Sequence, residues 1–228
     1  YFRFELYADD LDLPHHQNPF GKNLCLIGRS TELWHTRDTL ADFLTERAVD
    51  FLRRHRDRPF FLYLSHFAVH SPHEAKAGLI DKFKSKPPAG GHHDPTYAAM
   101  IYSVDESVGR VMAVLDELKL AEKTLVIFSS DNGGVGGYRE IGGKGVTDNA
   151  PLRGGKGMLY EGGVRVPWIV RWPGVVPLAV TCDTPTAHVD LFPTLLEAAR
   201  APEPSQALDG ESLVPLFRDP AAKLRRDA

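Results

Sequence analysis

The sequence predicts an α/β fold in which helices cover a mostly parallel β-sheet. Residues 125–128 (LVIF) are all apolar and do not alternate with polar residues, which is typical of a strand buried on both faces. Residues 60–65 (FFLYLS) form a second apolar run of this kind. A helical pattern at residues 97–118 lies between the two runs, and this order predicts a βαβ unit with a right-handed crossover and parallel strands.

The remaining regular elements follow from the same patterns. Apolar residues recur at helical spacing in residues 36–55 and again in residues 188–199, which predicts two further helices. Residues 164–172 predict a third strand, closed by Pro173 and Gly174. His188 and Asp190 stand at the start of the last helix, where we expect them to cap it.

Three stretches are predicted to form loops. Residues 1–30 are irregular and are expected to contain one short strand, whereas residues 74–95 are polar and predict a long surface loop. Residues 135–150 are rich in glycine and predict a mobile loop. No stretch has the composition of a linker, so we expect one domain over residues 1–228.

The composition excludes several classes of protein. Lys and Arg number 27 and Asp and Glu number 30, and the resulting net charge of −3 argues against nucleic-acid binding as the main function. No apolar run approaches the roughly 20 residues of a membrane span. Cys25 and Cys182 are far apart and indicate neither a disulfide scaffold nor a metal cluster.

The stretch TLVIFSSDNGG at residues 124–134 carries the first candidate site. Asp131 and Asn132 follow the predicted strand at its carboxyl end, where open α/β sheets bind ligands. A carboxylate beside an amide carbonyl offers hard oxygen ligands, which suit Ca²⁺ or Mg²⁺ better than zinc. The alternative is a simple turn in which both side chains only cap backbone groups.

Two further candidates are a histidine and a lysine. His66, His70 and His73 follow the strand at residues 60–65, and a histidine there can donate a proton or bind an oxyanion. Lys156 stands between glycines, which lets an ammonium group approach an oxyanion near the backbone. The alternatives are a histidine with a structural hydrogen bond and a solvated lysine on a surface turn.

Five motifs in order resemble the sulfatase family of the alkaline-phosphatase-like superfamily. They are FFLYLSHFAVHSPH, TLVIFSSDNGG, PLRGGKGMLYEGGVRVPWIVRWPG, HVDLFPTLLEAA and LDGESLVPLF, and together they cover most of the chain from residue 59 onward. The segment PLRGGKG…EGG is the most specific of them. The resemblance implies a partial three-layer α/β/α sandwich with a mostly parallel central sheet.

The resemblance also implies roles for four residues. Asp131 and Asn132 match the pair that helps bind one active-site Ca²⁺, with Mg²⁺ as a possible substitute. His70 matches the histidine that contacts sulfate and protonates the leaving alcohol, and Lys156 matches the lysine that contacts the sulfate or the bridging oxygen. The implied substrate is a sulfated small molecule or carbohydrate, and the family implies an exported protein. His66, His73, Arg153 and Glu161 lie in family motifs, but we assign them no catalytic role.

One departure from the family pattern is important. Sulfatases use a formylglycine made from the Cys or Ser of CxPxR or SxPxR, but Cys25 is followed by LIGR and Cys182 by DTPT. The chain opens with YFRFELYADD and has neither an initiator Met nor a signal peptide. We therefore expect a middle and later part of a sulfatase catalytic domain, with the nucleophile upstream and the small C-terminal subdomain downstream.

Two alternatives to a sulfatase fragment stay open. One is a phosphodiesterase or phosphonate-ester hydrolase of the same superfamily, which a Thr or Ser nucleophile would distinguish. The other is a non-catalytic binding protein that kept the fold and lost the nucleophile. Under the favoured interpretation, we expect this segment alone to leave sulfate esters intact.

Overall fold

The computed structural model describes residues 24–27, 40–136, 145–202 and 204–225, with the backbone alone at 24–27. In chain order the elements are β1 (Leu24–Ile27), α1 (Leu40–Arg54), β2 (Phe61–Leu64), α2 (Ala77–Lys84), α3 (Pro95–Glu117), β3 (Val126–Ser129), α4 (Glu161–Val164), β4 (Trp168–Arg171), α5 (Leu191–Ala199) and α6 (Val214–Arg218). The chain divides into two compact units. The first comprises residues 1–120 and 130–166, and the second comprises residues 121–129 and 167–228.

The first unit is built on two packed helices beside a parallel strand pair. β1 and β2 are parallel, with Leu24 opposite Phe61 and Ile27 opposite Leu64. Helix α1 buries a stripe that includes Leu44 and Phe51, as its helical periodicity predicts. The short strand expected in residues 1–30 is therefore confirmed, and so is the helix predicted at 36–55 over its described part.

Helix α3 begins where the sequence supplies a cap. The Asp94 carboxylate accepts hydrogen bonds from the Thr96 and Tyr97 amides at 2.8 and 2.9 Å, and Pro95 occupies the first turn. Its buried residues include Ala99 and Leu115, which face the core of the unit. The predicted helix at 97–118 is confirmed, with its start two residues earlier.

The second unit holds a strand pair and two helices around a separate core. Strands β3 and β4 are antiparallel, with Val126 opposite Arg171. Their apolar side chains pack with those of α6 and its flanks, namely Leu125, Trp168, Val170, Trp172, Leu213, Val214, Leu216 and Phe217. The strand predicted at 164–172 is therefore present but shorter, since it begins only at Trp168.

A buried carboxylate ties α5 to the chain that precedes α6. Asp190 is fully buried, and its oxygens accept from the Ala187 amide at 2.8 Å and from the Glu211 amide at 3.0 Å. Thr194 continues the contact, because its hydroxyl oxygen accepts from the Leu213 amide at 2.8 Å. The Asp190 side chain makes no capping hydrogen bond to α5 itself. It closes the turn at residues 188–190 instead and satisfies two partly buried donors that would otherwise be costly.

Two expectations about the fold are wrong. The strand–helix–strand order predicts a parallel neighbour for β3, whereas its described partner β4 runs antiparallel. An apolar run indicates a buried strand but does not encode the direction of the strand beside it. The predicted loop at 74–95 contains α2, whose Leu79, Ile80 and Phe83 pack against the cluster of Ala75, Ala99 and Met100.

The loop predicted at 135–150 lies in part outside the described residues, which leave out 137–144. No described helix combines the length and the apolar character that crossing a bilayer requires.

Candidate active site

Two glycine-rich segments of the first unit are hydrogen-bonded to each other. The amide of Gly133 donates to the carbonyl of Gly163 at 2.9 Å, and the amide of Lys156 donates to the carbonyl of Gly134 at 2.9 Å. We call residues 131–136 and 149–163 the glycine cluster. Asp131, Asn132 and Lys156 all belong to it, although more than 20 residues separate the acid–amide pair from the lysine in the sequence.

The glycines are required because main chain lies directly against main chain. A Cβ atom on Gly133 would overlap the carbonyl oxygen of Gly162, and one on Gly155 would overlap that of Gly136. Gly154 and Gly157 also adopt positive φ angles of 75° and 85°, which glycine tolerates best. The GGKG motif therefore forms a tight turn that fixes the backbone of Lys156.

Asp131 and Asn132 form a turn whose side-chain oxygen atoms have no protein partner among the described residues. Asp131 is exposed and Asn132 is half-buried. The Ser130 hydroxyl donates to the Asn132 carbonyl at 2.9 Å and shapes the turn. Within the described residues, neither the Asp131 carboxylate nor the Asn132 side-chain amide has a hydrogen-bond or ion-pair partner in the protein. Capping of the described backbone groups therefore does not explain this pair.

The free oxygens of this turn suit a hard divalent cation. A carboxylate and an amide carbonyl are typical ligands of Ca²⁺ and Mg²⁺. The described part of the chain holds no group of three or more His, Cys, Asp or Glu side chains that could bind a metal ion. These residues therefore fit the cation as two ligands of a larger shell rather than as a complete site.

Lys156 is half-buried, and its backbone is held on both sides. Its amide bonds to Gly134, and the Met158 amide closes the turn by donating to the Gly155 carbonyl at 2.9 Å. Arg153 stacks over the ring of Tyr160 at 3.9 Å from its centre, across the same turn. The lysine is thus presented from a rigid loop beside the Asp131–Asn132 turn.

His70 lies in a different turn of the same unit, after β2. Its Nδ1 is 2.7 Å from the carbonyl oxygen of Ser71, so Nδ1 carries the hydrogen and donates it. In the neutral ring Nε2 then carries no hydrogen, and it has no hydrogen-bond partner among the described residues. The side chain is exposed to solvent. The described contacts of His70 are with Phe67 and Ser71. Backbone hydrogen bonds join the segments of Asp131, Asn132 and Lys156, whereas no described contact joins His70 to them.

His66 anchors that turn and has a role that the sequence does not reveal. Its Nε2 lies 2.9 Å from the Ser107 hydroxyl of α3, which lies 2.6 Å from the Thr45 hydroxyl of α1. Burial lowers the pKa of His66 below its ordinary value of 6.5, so the ring is held neutral. The sequence offers one signal for this role of His66. Ser107 and Thr45 are polar residues among the apolar residues of two buried helix faces.

Comparison with known proteins identifies the relatives of the chain. The sulfatase family model matches residues 1–201. Mouse steryl-sulfatase (Mus musculus) is 41% identical over 184 residues, which cover 79% of this chain and 28% of that protein. The chain therefore spans less than a third of this curated relative.

Solved structures give the same picture of the fold. The structure of Ps i-CgsB in complex with k-i-k-neocarrahexaose has a TM-score of 0.69 and 35% identity, over 79% of this chain and 38% of that one. Phosphonate monoester hydrolase SpPMH from Silicibacter pomeroyi shares the fold, with a TM-score of 0.61, 24% identity, and coverage of 82% and 42%. The fold is thus the alkaline-phosphatase-like one, present in part. Since the family model covers most of its length and its motifs lie in the family order, the chain belongs to the sulfatase family.

Proposed function

We propose that this chain is part of a sulfuric ester hydrolase and supplies the cation-binding pair and the leaving-group side of its active site. The observation that carries the proposal is the glycine cluster. It brings a carboxylate and an amide, whose side chains have no partner among the described residues, beside a lysine whose backbone is fixed. A sulfate ester needs both features, because it carries negative charge and releases an alkoxide.

Asp131 and Asn132 would hold the cation, for which Ca²⁺ is the first candidate and Mg²⁺ the second. When bound, such a cation neutralises negative charge on sulfate oxygens and on the nucleophile. Neither side chain is buried, and the two residues contribute one formal charge. We expect weak cation binding by this segment alone, because two ligands leave most of a shell of about 6–8 oxygens to water.

Lys156 and His70 would act on the oxygen of the leaving alcohol. An ammonium group carried on a fixed backbone would stabilise the charge that develops on that oxygen as the bond to sulfur breaks. The free Nε2 of His70, once protonated, is a suitable proton donor, because Ser71 holds the ring in one tautomer through Nδ1. The nucleophile would come from outside these residues, since the sequence contains no CxPxR or SxPxR motif.

The proposed substrate class is a sulfated carbohydrate or another sulfated alcohol. Relatives of the chain support both: steryl-sulfatase is named for a steroid ester, and Ps i-CgsB is seen with k-i-k-neocarrahexaose. An exported location is also part of the proposal and rests on the family resemblance.

The test uses the complete polypeptide that carries this segment, with the 228-residue chain beside it. We expect the complete protein to hydrolyse 4-nitrophenyl sulfate in the presence of Ca²⁺ and the 228 residues alone to show no turnover. Faster hydrolysis of a phosphonate monoester than of the sulfate would instead favour the phosphonate-hydrolase alternative. Calcium binding without turnover of any ester would favour a non-catalytic binding protein.

A further inference from the structure

Asn149 lies at the centre of the glycine cluster and contacts all of its main-chain segments. Its side-chain nitrogen Nδ2 is 3.0 Å from the Gly134 carbonyl oxygen, 3.0 Å from that of Gly154 and 3.3 Å from that of Gly162. These three carbonyls belong to the loop after Asn132, to the turn before Lys156 and to α4. One amide group therefore joins three separate pieces of backbone.

The Asn149 amide shares an acceptor with the backbone of Lys156. The Gly134 carbonyl accepts both the Lys156 amide at 2.9 Å and the Asn149 side chain at 3.0 Å. A carbonyl oxygen has two lone pairs, so both bonds can form together. They fix the end of the Asp131–Asn132 turn relative to Lys156 from two directions.

The chemistry of the site requires an amide at this position. Three carbonyl oxygens that point at one place repel each other, and only a donor group between them compensates for that repulsion. The Asn149 NH₂ group has two hydrogens for three acceptors, so one hydrogen is shared. An aspartate would have the same shape but would place a charged oxygen among three carbonyls.

We propose that Asn149 is a positioning residue, which sets the distance between the cation-binding pair Asp131–Asn132 and Lys156 by clamping their loops together. The catalytic part of this inference rests on the proposed function, whereas the joining of the loops by Asn149 does not depend on it. Asn149 touches three carbonyls and need not touch substrate. Its loss acts on the reaction through Lys156 and the Asp131–Asn132 turn.

The first measurement is native-state hydrogen exchange by NMR on the 228-residue chain. In Asn149→Asp and Asn149→Ala, the amides of Gly133 and Lys156 should exchange about ten- to a hundredfold faster, because an unsatisfied group destabilises the closed loop. The α3 amides of Val114 and Leu115 should keep their rates. The matched control is Gln206→Glu, the same amide-to-acid change at an exposed residue of the second unit.

A pH series separates hydrogen bonding from simple packing. As the pH falls through the pKa of the carboxyl group that Asn149→Asp introduces, this group becomes neutral and regains one O–H donor. The protection factors of this variant relative to wild type should then recover in part, whereas those of Asn149→Ala should not. If both variants unfold, Asn149→Ser, which keeps one donor, takes their place. Its amides at Gly133 and Lys156 should exchange faster than those of wild type, and wild-type exchange rates there would overturn the inference.

Turnover by the complete polypeptide links the clamp to catalysis. Asn149→Ala should lower kcat for 4-nitrophenyl sulfate about tenfold or more. Across the Asn149 variants, the fall in kcat should follow the rise in the exchange rate of the Lys156 amide. Unchanged exchange at Gly133 and Lys156 in both variants overturns the inference, whether or not the wild type is active. Raised exchange with unchanged kcat also overturns the positioning role. If the Asn149 variants exchange faster but the wild type hydrolyses no ester, the clamp is supported and only the proposed function is refuted.

Discussion

Replacing His66 by glutamine should remove a pH-dependent part of the stability of the first unit. His66 joins the end of β2 to α3 through Ser107, and Ser107 reaches Thr45 of α1. Glutamine keeps a polar group that can bond to Ser107, but it cannot titrate. The substitution therefore isolates the protonation of the buried ring from its packing.

The sign and size of the effect follow from the pKa shift. Burial lowers the pKa of His66 in the folded state, so below pH 6.5 the unfolded chain binds a proton that the folded chain does not. The free energy of unfolding then falls as the pH falls, by at most about 1.4 kcal/mol per pH unit for one group. The ring nitrogen Nδ1 is buried and has no hydrogen-bond partner among the described residues, so a proton there would have nothing to bond to.

Urea unfolding at about pH 7.5, 6.5 and 5.5, on either side of the ordinary histidine pKa, measures the effect, with far-UV circular dichroism as the signal. The stability of wild type should decline faster than that of His66→Gln below the ordinary pKa of 6.5, so the difference between them should change with pH. His93→Gln is the matched control, because His93 is exposed. The reasoning would be refuted if the difference in stability between wild type and His66→Gln stayed constant over this range. It would also be refuted if the stability of His66→Gln fell with pH as steeply as that of the control, His93→Gln.

Three further predictions concern the site and the core. Under the proposed function, Lys156→Met should lower kcat of the complete polypeptide about 10²- to 10³-fold, because it removes a positive charge at the leaving oxygen. The exposed Lys123→Met should leave kcat unchanged, and equal kinetics for both variants would contradict this. Asp131→Ala should weaken Ca²⁺ binding in calorimetry by at least about tenfold relative to the exposed Asp183→Ala, and equal affinities would remove Asp131 from the cation site. Leu44→Ala should cost about 2–5 kcal/mol in urea unfolding, since Leu44 is 1% exposed, and a loss below about 1 kcal/mol would show that the site collapses without a cavity.

The regular elements of the first unit can be predicted because their side chains follow simple periods. The apolar stripe of α1 and the Asp94–Pro95 start of α3 are local signals, and both appear in the structure. Helix α2 escapes prediction because only Leu79, Ile80 and Phe83 mark it within a polar stretch, residues 74–95, that also contains three prolines. Its formation depends on packing against α3, which no local pattern shows.

The candidate site can be predicted in its residues but not in its geometry. Asp131, Asn132 and Lys156 stand out through residue chemistry and family resemblance, whereas their proximity depends on backbone hydrogen bonds between distant glycines. Asn149 escapes prediction for the same reason, because its partners are carbonyl groups, which every residue has. The antiparallel pairing of β3 with β4 likewise depends on a long connection whose path has no sequence signal.

The direct contact of main chain with main chain around Gly133 and Gly155 restricts how this protein can be redesigned. A mutagenesis library aimed at a different ester should leave those glycines fixed, since any substituent there displaces a neighbouring carbonyl. Leu159 is a better starting point, because it is 95% exposed and follows Lys156 closely in the chain. New selectivity can be sought there without moving the atoms that hold the lysine in place.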